Sequence, residues 1–252
     1  MSFEFRQLGV AANVSSNRKK RHRHIIKRKM KAIKRILPYF LTSILVIGFW
    51  KLLTGTDNYT WNPIGKEILM LDIALTTIFI YKTIFWLIVA NLIVFAIKLL
   101  IKKRFKTAGL ISGLTILIYF IAGHYIDRKC AIHYYSVFHN QSVAERYIDR
   151  PIKEAGYQIG PILTEQIIDK EMKYRIYAIG GLKKINYKPA TSALGRILND
   201  STEHIEFRAD AYEVLSSFDT DETRKILIDF REQSDSIDKK VLELGDYFIK
   251  SK

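Results

Sequence analysis

The stretch AGLISGLTILIYFIAGHYI, residues 108–126, contains no lysine, arginine, aspartate or glutamate and follows the basic cluster KKRFK at residues 102–106. Its 19 residues are enough to cross a bilayer core of about 30 Å, since a helix rises about 1.5 Å per residue. Gly109 and Gly113 have the spacing that is typical of close helix packing in membranes. We therefore predict a membrane-spanning helix here, with these two glycines as a candidate packing site.

The first 35 residues are strongly basic, with twelve lysines and arginines against the single acid Glu4. An 18-residue apolar run, residues 36–53, follows directly and is long enough to span. The basic region is too long for the n-region of a cleavable signal peptide, and no small-residue cleavage site follows the apolar run. We therefore predict a basic cytoplasmic segment over residues 1–35 and a first span at residues 36–53.

The apolar stretch between these two spans, residues 68–101, is too long for one simple crossing. Its 34 residues would form a helix of about 51 Å, whereas the bilayer core is about 30 Å thick. In one interpretation the span covers about residues 80–101, and the front part extends beyond the membrane or along its surface. In the other, residues 68–80 form a separate short span, although thirteen residues that include Asp72 are few for a crossing. Length therefore favours three spans, and the sequence leaves the place of residues 68–80 open.

Positive charge is concentrated in the first half of the chain. Residues 1–126 have a net charge of +16, and residues 127–252 have a net charge of −1. Because the basic clusters flank apolar runs, the expected partner of the first half is membrane lipid and not nucleic acid. The basic residues assigned to orientation and lipid contact are Arg18, Lys19, Lys20, Arg21, Arg23, Lys27, Arg28, Lys29, Lys31, Lys34, Arg35, Lys102, Lys103 and Arg104.

The same basic clusters predict a topology. Lysine and arginine near helix ends mark the cytoplasmic side, so residues 1–35 and 102–106 are both expected inside. Three spans then place residues 127–252 on the opposite, non-cytoplasmic face. The predicted location is a bacterial inner membrane, with the C-terminal half facing the periplasm.

The second half of the chain has helical periodicity throughout, and it contains an internal repeat. When residue 174 is placed over residue 207, YRIYAIGGLKKI at residues 174–185 lies over FRADAYEVLSSF at residues 207–218, with arginine on arginine, alanine on alanine and leucine on leucine. Each unit is predicted to be a helix, a short turn and a second helix. A degenerate earlier unit within residues 143–168 and a terminal capping helix at residues 236–250 complete the predicted domain.

The repeated pattern has an arginine near the start of the first helix, an alanine three residues later and a leucine four residues after that. It resembles HEAT-like repeats of the short type that phycobilisome lyases also contain, over about residues 172–232. The resemblance implies stacked helix pairs with a continuous core and a surface for binding proteins, and it implies no cofactor. The predicted fold is all-α, with a three-span transmembrane region, residues 36–126, followed by a soluble HEAT-like domain, residues 127–252.

The second helix of each unit is expected to bury its apolar positions and to expose the opposite side. The candidate partner-binding residues on that exposed side are Thr191, Arg196, Arg224 and Asp229. The six histidines have no zinc-binding spacing, and no phosphate loop, nucleophile elbow or His-Glu-x-x-His motif occurs. We therefore predict a protein that is not an enzyme, with no catalytic residues, no metal site and no cofactor.

These features lead to a membrane-anchored protein-binding module that presents its helical repeats on the non-cytoplasmic face. Two versions are an immunity protein that neutralises a secreted toxin and a subunit of a membrane complex. The alternative is an oligomeric channel or transporter component, because Asp72, Lys82 and Asn91 are polar residues in the long apolar segment and intramembrane ionisable groups are often functional. The sequence leaves the identity of the partner and the oligomeric state open.

Overall fold

The structure is a computed structural model that describes residues 3–53, 66–142, 148–232 and 236–250, with their side chains except those of residues 3–26, 53 and 236. Within these ranges the chain is α-helical and contains no strand, as the all-α prediction requires. Three long helices come first: α1 (Phe3–Leu53), α2 (Lys66–Ile101) and α3 (Phe105–Asn140). Seven shorter helices follow: α4 (Arg150–Ala155), α5 (Gly160–Gln166), α6 (Arg175–Lys184), α7 (Thr191–Asn199), α8 (Ile205–Phe218), α9 (Asp221–Glu232) and α10 (Ser236–Lys250).

The first three helices are each long and apolar enough to cross a membrane, by length and composition. The prediction of three apolar helices followed by a helical domain is therefore confirmed. Both α2 and α3 are 36 residues long and run beyond the predicted spans. No turn interrupts α2, so residues 68–80 are the first turns of the same helix that contains the predicted span. α3 continues past Ile126 because no glycine or proline occurs between residues 127 and 140.

The earlier unit predicted within residues 143–168 is described only from residue 148 onward, so its first five positions lie outside the described residues. The rest of this segment contains α4 and α5, joined by a 3₁₀ turn at Gly156–Ile159. Both helices are short, at six and seven residues.

Contacts within the chain define two units. The first contains residues 1–49 and 86–117, and the second contains residues 50–85 and 118–252. The second unit therefore joins the front of α2 to the C-terminal helices, a grouping that the hydropathy of the chain does not reveal.

In the first unit, α1 and α2 are held together by polar contacts at two levels. Lys98 Nζ donates a hydrogen bond to the carbonyl oxygen of Arg35 over 2.7 Å. Asn91 Nδ2 lies 3.4 Å from Ser43 Oγ. Since the higher-numbered residue of α1 pairs with the lower-numbered residue of α2, the two helices are antiparallel. Pro38 lacks the N–H that would bond to the carbonyl oxygen of Lys34, and Lys98 donates to the next carbonyl oxygen along the chain, that of Arg35.

The core of the second unit begins on α2. Leu71, Ala74, Leu75 and Ile78 are all buried, and their spacing places them on one helix face. They belong to the same apolar core as the end of α3 and the helices α4–α10. Burial of each leucine or isoleucine contributes about 1.5–3 kcal/mol, which is enough to fix the front of α2 to this unit. An ion pair between Lys82 and Asp127 joins α2 to α3 at the edge of the core.

Two buried arginines, Arg175 and Arg208, are 33 residues apart and make the same kinds of contact. Arg175 Nε donates to the carbonyl oxygen of Ile167 over 2.7 Å, and its Nη2 lies 2.7 Å from Glu203 Oε2. Arg208 Nε donates to the carbonyl oxygen of Leu198 over 2.8 Å, and its Nη2 pairs with Asp238. Each arginine thus joins the end of a preceding helix to the start of a following one.

Candidate partner-binding face of the C-terminal unit

One side of α7 and α9 is exposed along both helices. The exposed positions recur at i, i+4 and i+7, as expected for helices that bury their opposite sides. The two helices approach closely at Gly195, where an added Cβ would lie 3.2 Å from Cδ1 of Ile226. We name this surface the α7–α9 face, and its residues are Ser192, Arg196, Asn199, Lys225, Asp229 and Glu232.

Thr191 does not belong to the α7–α9 face. It is only 3% exposed, and its Oγ1 donates to the carbonyl oxygen of Lys188 over 2.8 Å. The expectation that Thr191 faces outward is therefore wrong. A 3₁₀ turn, Lys188–Ala190, leads directly into α7 and directs the first residue of the helix inward, so Ser192 is the first exposed position.

Arg224 is exposed, but it already pairs with acids of its own chain. Its Nη2 lies 2.8 Å from Asp219 Oδ1, and its Nη1 lies 3.2 Å from Asp221 Oδ1. The hydrogen bond and charge of Arg224 hold the pKa of Asp219 below its usual value. At the same helix start, Thr220 and Thr223 exchange hydrogen bonds between their backbone N–H groups and hydroxyls. Arg224 therefore stabilises the start of α9 through contacts within the chain, and the α7–α9 face does not include it.

Arg196 and Asp229, the other two predicted partner residues, are both on the α7–α9 face. They are 33 residues apart and carry opposite charges. Next to Asp229, Ile228 is 53% exposed and adds apolar area to the same side of α9. Sequence reasoning missed Ile228 because apolar residues of a periodic helix are assigned to the core by default. The available signal was the 33-residue alignment, which places Ile228 over Gly195, a residue with no side chain to bury.

The polar residues of α2 make separate contacts. Asp72 is exposed and lies on the part of α2 that belongs to the second unit. Lys82 pairs with Asp127. Asn91 Nδ2 donates to the carbonyl oxygen of Leu87 over 2.7 Å, in addition to its contact with Ser43. The contacts of Lys82 and Asn91 join helices, and the transport alternative stays a prediction.

Gly109 and Gly113, the predicted packing site, are both exposed on α3. Within the described part of the chain, nothing lies within 4 Å of a Cβ added at either position. Close packing of another helix against these two glycines stays a prediction.

The basic clusters of the first unit lie at the same end of it. Because α1 and α2 are antiparallel and Lys98 contacts Arg35, the residues before Arg35 lie alongside those that follow Lys98. The side chains of residues 27–35 and 102–106 are exposed. The predicted basic residues Arg18, Lys19, Lys20, Arg21 and Arg23 lie on α1, but their side chains are outside those that the structure describes.

Comparison of the chain with protein-family models, curated proteins and solved structures gives no match. Among the described side chains, no group of three or more His, Cys, Asp or Glu could hold a metal ion. Function is therefore inferred from the geometry of the chain alone.

Proposed function

We propose that this chain is a membrane-anchored protein-binding module that holds a protein partner on the α7–α9 face. The observation that carries the proposal is the pair of equivalent arginine bridges at Arg175 and Arg208, which supports a stacked scaffold with one continuous outer side. Such scaffolds typically bind proteins along an extended helical surface. On the same grounds we propose HEAT-like repeats over about residues 172–232.

The scaffold proposal has a second line of support in the positions of the helices. α6 begins at Arg175 and α8 at Ile205, while α7 begins at Thr191 and α9 at Asp221, so both pairs of helix starts are 30 residues apart, three fewer than the 33-residue shift that aligns the sequences. Arg175 is the first residue of α6, whereas α8 begins one turn before Arg208. Two successive helix pairs with equivalent buried arginines agree with a repeat.

We further propose that the second unit faces the non-cytoplasmic side of a bacterial inner membrane. The grouping of basic residues at one end of the first unit supports a single cytoplasmic end. The inclusion of residues 66–85 and 118–250 in one unit supports a common side for the front of α2 and the C-terminal helices. An odd number of crossings then separates the N-terminal cluster from the binding face.

Site-specific photo-crosslinking in living cells tests the binding proposal. A photoreactive residue at Arg196 or Asp229 should give one discrete adduct, and Ile228→Asp should abolish that adduct because a charge replaces the exposed apolar contact. The same photoreactive residue at the exposed Lys239 on α10 is the matched control and should give no such adduct. Equal adducts at all three positions would contradict a specific α7–α9 face.

The nature of the adduct then separates the two versions of the proposal. For an immunity protein, the adduct appears only when a secreted toxin is supplied, and Ile228→Asp makes cells sensitive to that toxin. For a subunit of a membrane complex, the adduct forms without any added protein and contains a resident membrane component. Comparing cells with and without neighbouring toxin-producing cells distinguishes the outcomes.

A further inference from the structure

The sequence of α3 fixes the level at which this helix leaves a bilayer. No lysine, arginine, aspartate or glutamate occurs between Lys106 and Asp127. A helix of that length covers about 30 Å, which matches the hydrocarbon core. If residues 107–126 cross a bilayer, Asp127 lies at the boundary between the hydrocarbon core and the headgroups, and its ion pair with Lys82 places Lys82 of α2 at the same level.

A turn of the C-terminal domain lies against α3 just below this level. Gln158 Nε2 is 3.3 Å from His124 Nδ1. His124 is three residues before Asp127, or about 4.5 Å along the helix axis towards the apolar span. The 3₁₀ turn Gly156–Ile159 is thus held close to this boundary between the hydrocarbon core and the headgroups.

The side chain that this turn presents to solvent is Tyr157, which is 54% exposed. Its ring is not free to fold back, because it packs against Tyr187 with the ring centroids 4.8 Å apart. Tyr187 is itself 9% exposed and occupies the space where a side chain at Gly160 would lie. Because Gly160 has no side chain, the Tyr187 ring can occupy this space. The contact with Tyr187 in turn holds the Tyr157 ring in its outward orientation.

We propose that Tyr157 is a membrane-interface anchor, inserted among the headgroups of the same bilayer that α3 crosses. Tyrosine suits this depth because its ring is apolar while its hydroxyl can bond to water and headgroup oxygens. Tyr125 of α3, 60% exposed and two residues before Asp127, is the second aromatic at the same level. The second unit is then held against the bilayer by the side chain of Tyr157 as well as by α3.

The anchor does not depend on the identity of any protein partner. It requires only that residues 107–126 cross a bilayer, so failure of the binding proposal leaves it intact. The probe is a bilayer of phosphatidylethanolamine and phosphatidylglycerol that contains the full-length chain.

Spin labels attached to cysteines measure the depth of Tyr157. The test positions are Tyr157→Cys, the matched exposed tyrosine Tyr247→Cys on α10, and Ile116→Cys as a lipid-facing reference in the span; Cys130 is buried and does not compete for the label. Collision with oxygen, which concentrates in lipid, is compared with collision with a water-soluble nickel chelate. We expect the label at 157 to collide with the nickel chelate several-fold less than the label at 247. Equal accessibility at these two positions would overturn the proposal.

A second measurement keeps the tyrosine in place. A label at Lys153→Cys, one turn away and exposed, reports on the same surface while Tyr157 is intact. Tyr157→Ser should raise the nickel collision rate of this label several-fold, because the anchor is lost. An unchanged rate, with the helical circular dichroism also unchanged, would show that Tyr157 anchors nothing.

Discussion

At the scale of single residues, the buried arginines of the second unit decide how its helices join. Arg175 is 3% exposed and Arg208 is 2% exposed, and a charge at such depth is costly unless it is paired and hydrogen-bonded. Each guanidinium also lies over an aromatic ring, with Arg175 4.9 Å from the ring centroid of Phe207 and Arg208 5.6 Å from that of Phe230. These contacts use the planar guanidinium, so a lysine could not reproduce them.

Replacing Arg175 tests this link directly. Arg175→Ala leaves the carboxylate of Glu203 buried without its partner, and we expect it to cost about 3–5 kcal/mol of unfolding free energy. Arg196→Ala on the exposed side of α7 is the matched control and should change stability by at most about 0.5 kcal/mol. Thermal and denaturant unfolding of the full chain in detergent measures both. Similar effects of the two substitutions would contradict the structural role of Arg175.

The stabilisation that the Arg175–Glu203 ion pair provides depends on pH. Burial alone would raise the pKa of Glu203, but the hydrogen bond and charge of Arg175 and the backbone N–H of His204 outweigh it and hold the pKa below the usual value. The folded pKa is thus lower than the unfolded value of about 4.3. The stabilisation is present above about pH 4.3 and is lost as the pH falls through the folded pKa.

We therefore expect the melting temperature of the full chain to fall below about pH 4.3, where this contribution is lost. Glu203→Gln should flatten this part of the pH profile, because the variant has no proton to bind at this site. Glu165→Gln, at an exposed glutamate of α5, should leave the profile unchanged. A Glu203→Gln profile as steep as that of the unsubstituted chain would refute the assignment.

At the scale of elements, the close approach of α6 to α4 depends on one of two adjacent glycines. A Cβ at Gly181 would lie 2.7 Å from Cδ1 of Ile152, whereas a Cβ at Gly180 meets no described atom within 4 Å. Both glycines are inside α6, so an alanine at either position gains about 1 kcal/mol of helix propensity. The difference between them therefore isolates the packing between helices.

The paired substitutions have opposite expected signs. Gly180→Ala should stabilise the chain by about 0.5–1 kcal/mol, because it adds helix propensity without a clash. Gly181→Ala should destabilise it, because displacing Ile152 costs about 1–3 kcal/mol and exceeds the gain. Denaturant titration of both variants gives the comparison. Equal stabilisation by both would mean that α4 and α6 are not in contact.

A helix can be predicted from the sequence where its apolar periodicity is local, as at the C-terminal end of the chain. The terminal helix was predicted at residues 236–250 and is α10. The end of α3 could not be predicted in the same way. The charged residues Asp127-Arg128-Lys129 indicate where the apolar segment ends. Charged residues do not end a helix, however, and α3 continues to Asn140. Thr191 was misplaced because a one-residue error at the start of a helix rotates a side chain by about 100°.

At the scale of the whole molecule, hydropathy cannot distinguish burial in lipid from burial in protein. Leu71, Ala74, Leu75 and Ile78 read as part of a membrane segment, yet they are buried in the core of the second unit. Many apolar residues of the predicted spans remain exposed on the chain itself, as with Leu110, which is 72% exposed. Only the three-dimensional arrangement separates the two kinds of apolar helix, so the three apolar helices could be predicted from the sequence, and the place of residues 66–85 in the second unit could not.

Topology can be measured with one native and one introduced thiol. Cys130 is 0% exposed, so we expect it to resist a membrane-impermeant maleimide on either side of the membrane. Tyr247→Cys on α10 should react rapidly from the non-cytoplasmic side in intact, right-side-out vesicles. Inverted vesicles, with the same variant, provide the control and should react only after detergent is added. Labelling of Tyr247→Cys in inverted vesicles alone would reverse the proposed orientation.

The position of α2 has a consequence for the order of events during synthesis. The ribosome completes the apolar face of Leu71, Ala74, Leu75 and Ile78 long before it reaches Tyr134 and Ile152, residues of the same core. At roughly 5–20 residues synthesised per second, this apolar face stays unburied for several seconds, until the later core residues have been made. A nascent chain that stalls in this interval exposes an apolar surface that a chaperone or a quality-control protease can recognise. Truncation before α4 should therefore lead to degradation of the remaining chain, although its three apolar helices are complete.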